Sequence, residues 1–264
     1  MPRSDTTHRR PAWYFHEYTP VGIDLGSKAA VAAYDRNQGT DSDADDALLD
    51  RLGVGESSYL VDLACGTGSL AVQAARRGAV AHGVDVSEEM LAFAQAQAER
   101  FGVAPHWHRA GFLDYTHSGP LADVVTTKSA LHQLPDFWKQ QALLNAAGML
   151  RPGGTFYLRD VIFSFEPTSS DRHLHQWIDT AGRPEGEGFT RADFEAHVRD
   201  EFSTYAWIIE GMLQRAGFDV VSRAFPSPTH AEFCCRRSQT LTQPCRVWLS
   251  KGAARHGRGL GMTQ

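Results

Sequence analysis

The chain has 264 residues, 42% of them hydrophobic and 22% charged, a length and balance that suit one α/β domain with decorations. Its formal net charge of −5 gives no electrostatic pull toward nucleic acid or an anionic membrane. No apolar run is long enough to cross a membrane, and the basic opening MPRSDTTHRRPAWYF lacks the apolar segment of a secretory signal, so a cytoplasmic location is expected.

Residues 1–57 read as an N-terminal extension with helices near 27–36 and 42–52. The second opens on Asp41, Ser42, Asp43, Asp45 and Asp46, acids that suit the positive end of a helix. A calcium loop would need glycine and glutamate where Asp46 and Leu52 stand, so the helix start is preferred. From residue 58 short apolar runs alternate with helical segments. YLVDLA predicts a buried strand, Ser69 to Arg77 a helix, AVAHGVDV a second strand, and Ser87 the start of a second helix. HWHRAGF and ADVVTTK predict further strands, a helix follows from Lys139 to Leu150, and after Arg151-Pro152-Gly153-Gly154 comes the strand TFYLRDV. This alternation implies right-handed crossovers and a parallel sheet covered by helices on both faces.

Residues 163–204 break the rhythm and read as a polar helical insertion. A helix at 205–216 and strands near 218–224 and 230–236 close a domain expected to span 58–237. Residues 238–264 hold four basic residues and no acid, and are expected to be a loosely ordered tail. The cysteines Cys65, Cys234, Cys235 and Cys245 form no C-x-x-C pair, so neither a zinc nor a disulfide framework is indicated.

The strongest signal is VDLACGTGSLA, residues 61–71, at a strand-to-helix junction. Gly66 and Gly68 let the chain turn tightly and let a ligand approach the backbone. Gly66-x-Gly68-x-x-Ala71 alone also satisfies the fingerprint of nicotinamide and flavin enzymes. Asp85, at the end of the second strand, suits both ribose hydroxyls of an adenosine and leaves the cofactor class open. Asp62, four residues before Gly66, repels a diphosphate and attracts an ammonium, which favours an amino-acid tail.

VDLACGTGSLA, GVDVSEEML, AGFLDY, ADVVTTKSALHQLPDFWK and MLRPGGTFYLRDV together resemble, in order and spacing, the class I S-adenosylmethionine-dependent methyltransferases over about residues 58–236. The resemblance implies a doubly wound, mostly parallel seven-stranded Rossmann-like sheet with an antiparallel last strand, and S-adenosyl-L-methionine as cofactor. It implies that Asp62 and the backbone of Ala64, Gly66 and Gly68 hold the methionine part. Asp85 would bind the ribose, Val86 and Met90 line the adenine, Gly111 and Phe112 meet its edge and face, and Lys128 lie beside the cofactor through its backbone. Ala64 departs from the family's usual glycine and is tolerable there if its φ is negative.

Methyl transfer from a sulfonium mainly requires alignment, so a catalytic dyad is not essential. His132, after the fourth strand, suits either a general base or a structural hydrogen-bonder, and Asp160, ending the fifth, either an acceptor-orienting acid or a loop cap. The segment Thr126-Thr127-Lys128-Ser129 lacks both the Asp/Asn-Pro-Pro-aromatic signature of amino-methylating DNA enzymes and the Pro-Cys of cytosine C5 enzymes. No second carboxylate accompanies Asp160 and His173 and His175 read as solvated, so no metal is expected. Trp13, Tyr14, Phe15 and Tyr18 suggest a lid over the cofactor, joined by Trp177, Phe189, Phe202, Tyr205 and Trp207 in or after the insertion. Tyr205, Ile208, Ile209 and Met212 read equally as the buried stripe of a helix. The expectation is methyl transfer to a small molecule, with no membrane partner and nucleic acid disfavoured. An RNA or protein acceptor is the next reading and a nicotinamide-dependent oxidoreductase the third.

Overall fold

The computed structural model describes residues 11–19, 27–38 and 42–239. The expected loose tail and Cys245 lie outside these, apart from residues 238 and 239. Two helices precede the sheet, α1 (Lys28–Gln38) and α2 (Ser42–Leu52). Then come β1 (Tyr59–Leu63), α3 (Ser69–Arg76), β2 (Val80–Asp85), α4 (Glu88–Phe101), β3 (His106–Arg109) and β4 (Ala122–Lys128). The chain continues through α5 (Asp136–Met149), β5 (Leu150–Phe163), α6 (Ser170–Ala181), α7 (Arg191–Asp200), β6 (Thr204–Tyr205), α8 (Ala206–Arg215), β7 (Phe218–Ser227) and β8 (His230–Arg237).

The strands lie in the order β3-β2-β1-β4-β5-β8-β7. β1 through β5 run parallel, and β8 is antiparallel to both its neighbours, β5 and β7. The expected seven strands gain the two-residue β6, which pairs with the end of β5 at Ile162 and Phe163. β1 sits between β2 and β4, so the winding reverses there and a crevice opens at the carboxyl ends of these strands, where ligands bind in open α/β sheets.

Local chemistry explains most boundaries. Ser87 caps α4 by accepting from the Met90 N–H at 3.2 Å, and Gly102 ends it at φ 67°. α7 starts with a reciprocal capping box between Thr190 and Asp193. α5 begins at Asp136, earlier than the expected Lys139, because Pro135 pre-sets the turn and Asp136 favours the helix N-terminus. β5 starts at Leu150 and so takes in the Arg151–Gly154 segment expected to precede it.

Apolar side chains cover both faces of the sheet, as parallel strands require. Leu143, Ala146, Ile209 and Leu213 join one core cluster with Val61, Val125 and Phe156. On the other face Leu49, Leu70 and Ala74 pack with Leu60 and Tyr157. Ala206, Ile209 and Leu213 form the inner face of α8, so the stripe expected from Tyr205, Ile208, Ile209 and Met212 is rotated, with only Ile209 fully inside.

Candidate active site

A cavity of about 380 Å³ opens at the carboxyl ends of β1, β2 and β4. That volume falls within the range of small-molecule sites. Of the residues expected to hold the cofactor, Ala64, Gly66, Asp85, Val86, Met90, Gly111, Phe112 and Lys128 line it. Asp62 and Gly68 do not.

Asp85 is 8% exposed and sits at the cavity wall. Its Oδ2 accepts from the Gly66 N–H and its Oδ1 from the Ser87 N–H, each at 2.9 Å. The carboxylate is therefore fixed by the two loops that flank the crevice, with further lone pairs on both oxygens for a ligand. Burial raises its pKa, while the N–H groups of Ser87, Gly66 and Val86 pull it back. Gly66 has φ 53°, and a Cβ built there would meet nothing within 4 Å, so its backbone is open to close approach.

Gly68 has a different reason to be glycine. A Cβ there would fall 2.6 Å from both Ala94 and Trp107, so it is the packing point of α3 against α4 and β3. Asp62 is 3% exposed and accepts from Thr126 Oγ1 at 2.7 Å. Burial raises its carboxyl to about 6, against the opposing pull of Lys128. Its charge acts from behind the wall, not in contact with the cavity. Cys65 is a thiol driven upward by burial, consistent with packing.

Ala64 corrects an expectation. Its φ is 54°, not negative. Ser129, at the carboxyl end of neighbouring β4, has φ 53° and donates its N–H to the Arg159 carbonyl at 2.8 Å. Both line the cavity. Side-chain-bearing residues hold left-handed backbone only where their surroundings impose it, at a cost of about 1–2 kcal/mol.

Two acids invisible to motif reading shape the site. Asp45 of α2 is 6% exposed. It pairs with Lys128 Nζ at 2.6 Å and accepts from the hydroxyl of Ser69, the first residue of α3, at 2.6 Å. An acid thus already occupies the neighbourhood of the α3 N-terminus, where a diphosphate would otherwise be drawn. Glu17 accepts from the N–H groups of Phe112 at 2.7 Å and Leu113 at 2.9 Å. Its carboxylate fills the space a Cβ on Gly111 would need.

Glu17 belongs to a strap, residues 11–19, that closes one side of the cavity. Phe15, Glu17, Tyr18 and Thr19 line it. Tyr18 donates to Asp114 Oδ2 at 2.7 Å and Tyr14 to the Leu113 carbonyl at 3.2 Å. Tyr14 and Phe15 lie against Trp138, with centroids 4.7 and 6.3 Å away. The insertion aromatics are elsewhere. Trp177 packs on Phe194 and His197, Phe189 on Tyr34, and Trp207 is 67% exposed, so none of the three lines the cavity.

His132 and Asp160 are brought together, but behind the lining. The His132 N–H donates to Asp160 Oδ2 at 3.0 Å, and its Nδ1 meets Asp160 Oδ1. Its Nε2 lies 2.9 Å from Glu201 Oε2. Burial would lower the imidazole pKa, but Asp160 and Glu201 raise it to about 9. Both ring nitrogens are engaged and 7% of the residue is exposed, and His132 is not among the residues that line the cavity. His173 stacks on Phe165 and His175 is exposed on α6.

Residues 60–154 match the sequence profile of the methyltransferase domain family. A ubiquinone biosynthesis O-methyltransferase of Coxiella burnetii is 26% identical over 111 residues, covering 42% of this chain and 47% of that protein. An uncharacterized methyltransferase of Mycobacterium bovis is 34% identical over 136 residues, 50% of this chain and 65% of that one. The match thus spans about half to two thirds of these relatives. Among solved structures, magnesium protoporphyrin IX methyltransferase from Synechocystis, with bound S-adenosylhomocysteine, superposes with a TM-score of 0.57 at 18% identity, covering 84% of this chain and 91% of that one. The fold is therefore that of the Rossmann-like methyltransferases.

Proposed function

We propose that this chain, whose residues 60–154 match the methyltransferase domain family, is a class I methyltransferase that binds S-adenosyl-L-methionine in the cavity at the β1–β2–β4 crevice and methylates a small molecule. The observation that carries this reading is the Asp85 carboxylate, locked by two backbone donors at the cavity wall beside the open backbone of Gly66. These residues fit the adenosine and amino-acid ends of the cofactor, which when bound supplies an activated methyl group on sulfur.

Asp85 binds the ribose hydroxyls through its remaining lone pairs. Val86, Met90 and Phe112 enclose the adenine, with Gly111 beside its edge. Ala64 and Gly66 present backbone to the methionine part, and Lys128 borders it with its charge already neutralised by Asp45. Asp62 and Gly68 are positioning residues: the first contributes negative potential through the wall, and the second lets α3 approach α4. Asp45 disfavours a diphosphate, which supports this cofactor over a nicotinamide dinucleotide.

Phe15, Tyr34, Ser129, Ala130, Gln133 and Leu134 line another part of the cavity and would meet the acceptor. This set is mixed and partly apolar, and the strap narrows access to it, which suits a small molecule better than a macromolecular chain. The relatives named as ubiquinone biosynthesis O-methyltransferases point the same way. His132 and Asp160 act together as positioning residues that hold the 129–134 loop, and alignment of the acceptor in the cavity does the chemical work.

Calorimetric titration with S-adenosylhomocysteine and, separately, NADH tests the cofactor. Binding of the first alone is expected, and binding of NADH alone refutes the reading. Incubation with methyl-labelled cofactor and cell extract tests the acceptor, since label entering RNA or protein and not small molecules would overturn that part.

A further inference from the structure

Apart from the cavity, a cluster of chemistry-bearing side chains lies where the helical insertion meets the carboxyl end of the sheet. His132 comes from the turn after β4, His197 from α7, and Glu201 from the cap of that helix. Each offers one ligand atom, and the three atoms lie within 4.8 Å of one another. Glu201 Oε2 is 2.9 Å from His132 Nε2 and 2.6 Å from His197 Nδ1. The His132, His197 and Glu201 side chains are 8%, 12% and 9% exposed.

Glu201 Oε2 is nonetheless a buried oxygen that receives no well-aligned hydrogen bond. A buried carboxylate oxygen left so is costly, and buried polar groups normally find a directed partner. The two ring nitrogens flank it at 2.9 and 2.6 Å, so the three ligand atoms already converge and need move apart only slightly to surround an ion. The far side of each ring is also fixed. His132 Nδ1 is held by Asp160, and His197 Nε2 lies 2.8 Å from Ser203 Oγ. Metal-bound histidines are oriented in this way, with a carboxylate or hydroxyl on the nitrogen that does not bind the ion.

We propose that His132, His197 and Glu201 form a binding site for a divalent transition-metal ion, with zinc the preferred occupant. Two imidazoles and one glutamate are a zinc donor set, and nitrogen-rich ligation disfavours magnesium and calcium. Binding requires the ring nitrogens of His132 and His197 that face Glu201 to be free of protons, and any proton they carry leaves to solvent. Its effect is to tie α7 to the loop that carries Ala130, Gln133 and Leu134 into the cavity wall. Three protein ligands leave a position for water. The site does not depend on the methyltransferase reading, because no ligand atom belongs to the cavity.

The full chain, stripped with chelator and dialysed against zinc, should retain one equivalent by elemental analysis. Cobalt loading should give the intense visible absorption of a low-coordinate nitrogen–oxygen site. Glu201→Gln and His197→Ala should each weaken zinc binding by about 100-fold or more. The double variant His173→Ala/His175→Ala, on the neighbouring helix, should bind as wild type. A second histidine group, His82, His106, His108 and His117 on the β2–β3 edge, provides the competing location. Zinc lost on His82→Phe but kept in Glu201→Gln would overturn the assignment. So would wild-type protein that retains no zinc and gives no cobalt spectrum, a result independent of whether any variant folds. Unchanged calorimetric binding of S-adenosylhomocysteine in a zinc-free variant would leave the cofactor reading intact, so the two claims fail separately.

Discussion

Replacing Asp85 by asparagine should abolish most of the cofactor affinity while leaving the fold in place. Each oxygen of the native carboxylate already accepts one backbone N–H, from Gly66 and from Ser87, both at 2.9 Å. The amide keeps the shape but turns one oxygen into a donor, which then opposes one of those N–H groups and cannot accept from a ribose hydroxyl. The remaining oxygen still accepts, without charge assistance. Hydrogen bonds to a charged group contribute about 1.5–3 kcal/mol each, so losing one and weakening the other removes about 2–4 kcal/mol. That corresponds to an approximately 30- to 1000-fold rise in Kd for S-adenosylhomocysteine. The free protein should change less, because burial already works against the charged form of Asp85 and the neutral amide relieves that cost. Calorimetry measures the first effect and thermal melting without ligand the second. Wild-type affinity in a folded variant would show that Asp85 is only a loop clamp, and the ribose assignment would fall.

Ala64→Gly should stabilise the free protein: left-handed backbone costs alanine about 1–2 kcal/mol, offset by about 0.5–1 kcal/mol of extra glycine entropy. A rise in Tm of about 2 °C is expected, and a fall would mean that the alanine methyl packs usefully. Burial, then His117, His106 and His108, lower the His82 pKa from 6.5 to about 4. The unfolded chain therefore takes up the proton first, and stability drops as pH falls from about 6.5 toward 4. Urea titrations at pH 7 and 4.5 should show His82→Phe losing less stability than wild type across that window, by about 1–2 kcal/mol after allowing for solvent screening. Glu17→Ala should release the 11–19 strap, because its two backbone donors at Phe112 and Leu113 lose their acceptor. Faster chymotryptic cleavage among Trp13, Tyr14, Phe15 and Tyr18 with an unchanged core is the expected result, and equal cleavage rates would deny the carboxylate its anchoring role.

What the sequence made legible follows from the distance over which each signal acts. The glycine loop at Gly66, the acid ending β2 and the strand–helix alternation are set by residues within a few positions of one another, and all lie where expected. Asp62 shows the limit of a local signal: its spacing from Gly66 places it beside the loop but does not reveal that its side chain meets Thr126 behind the cavity wall. Asp45 shows the complementary failure. In sequence it is one of several acids at a helix start, and that description remains true. Only packing of α2 against α3 singles it out, by burying it against Ser69 and Lys128 while Asp43 stays exposed. Ala64 is sharper still, since nothing in its side chain signals a positive φ, and the loop imposes it through Cys65, whose N–H is tied to the Val84 carbonyl at 2.9 Å. The metal proposal lies at the far end of this scale. His197 and Glu201 stand four residues apart on one helix turn, which is too common to single out, and His132 is in a different segment altogether. Such a site is specified by the docking of the insertion onto the sheet, so the physical evidence for it is the convergence of three ligand atoms, from buried His132 and partly buried His197 and Glu201, with an oxygen that lacks an aligned partner.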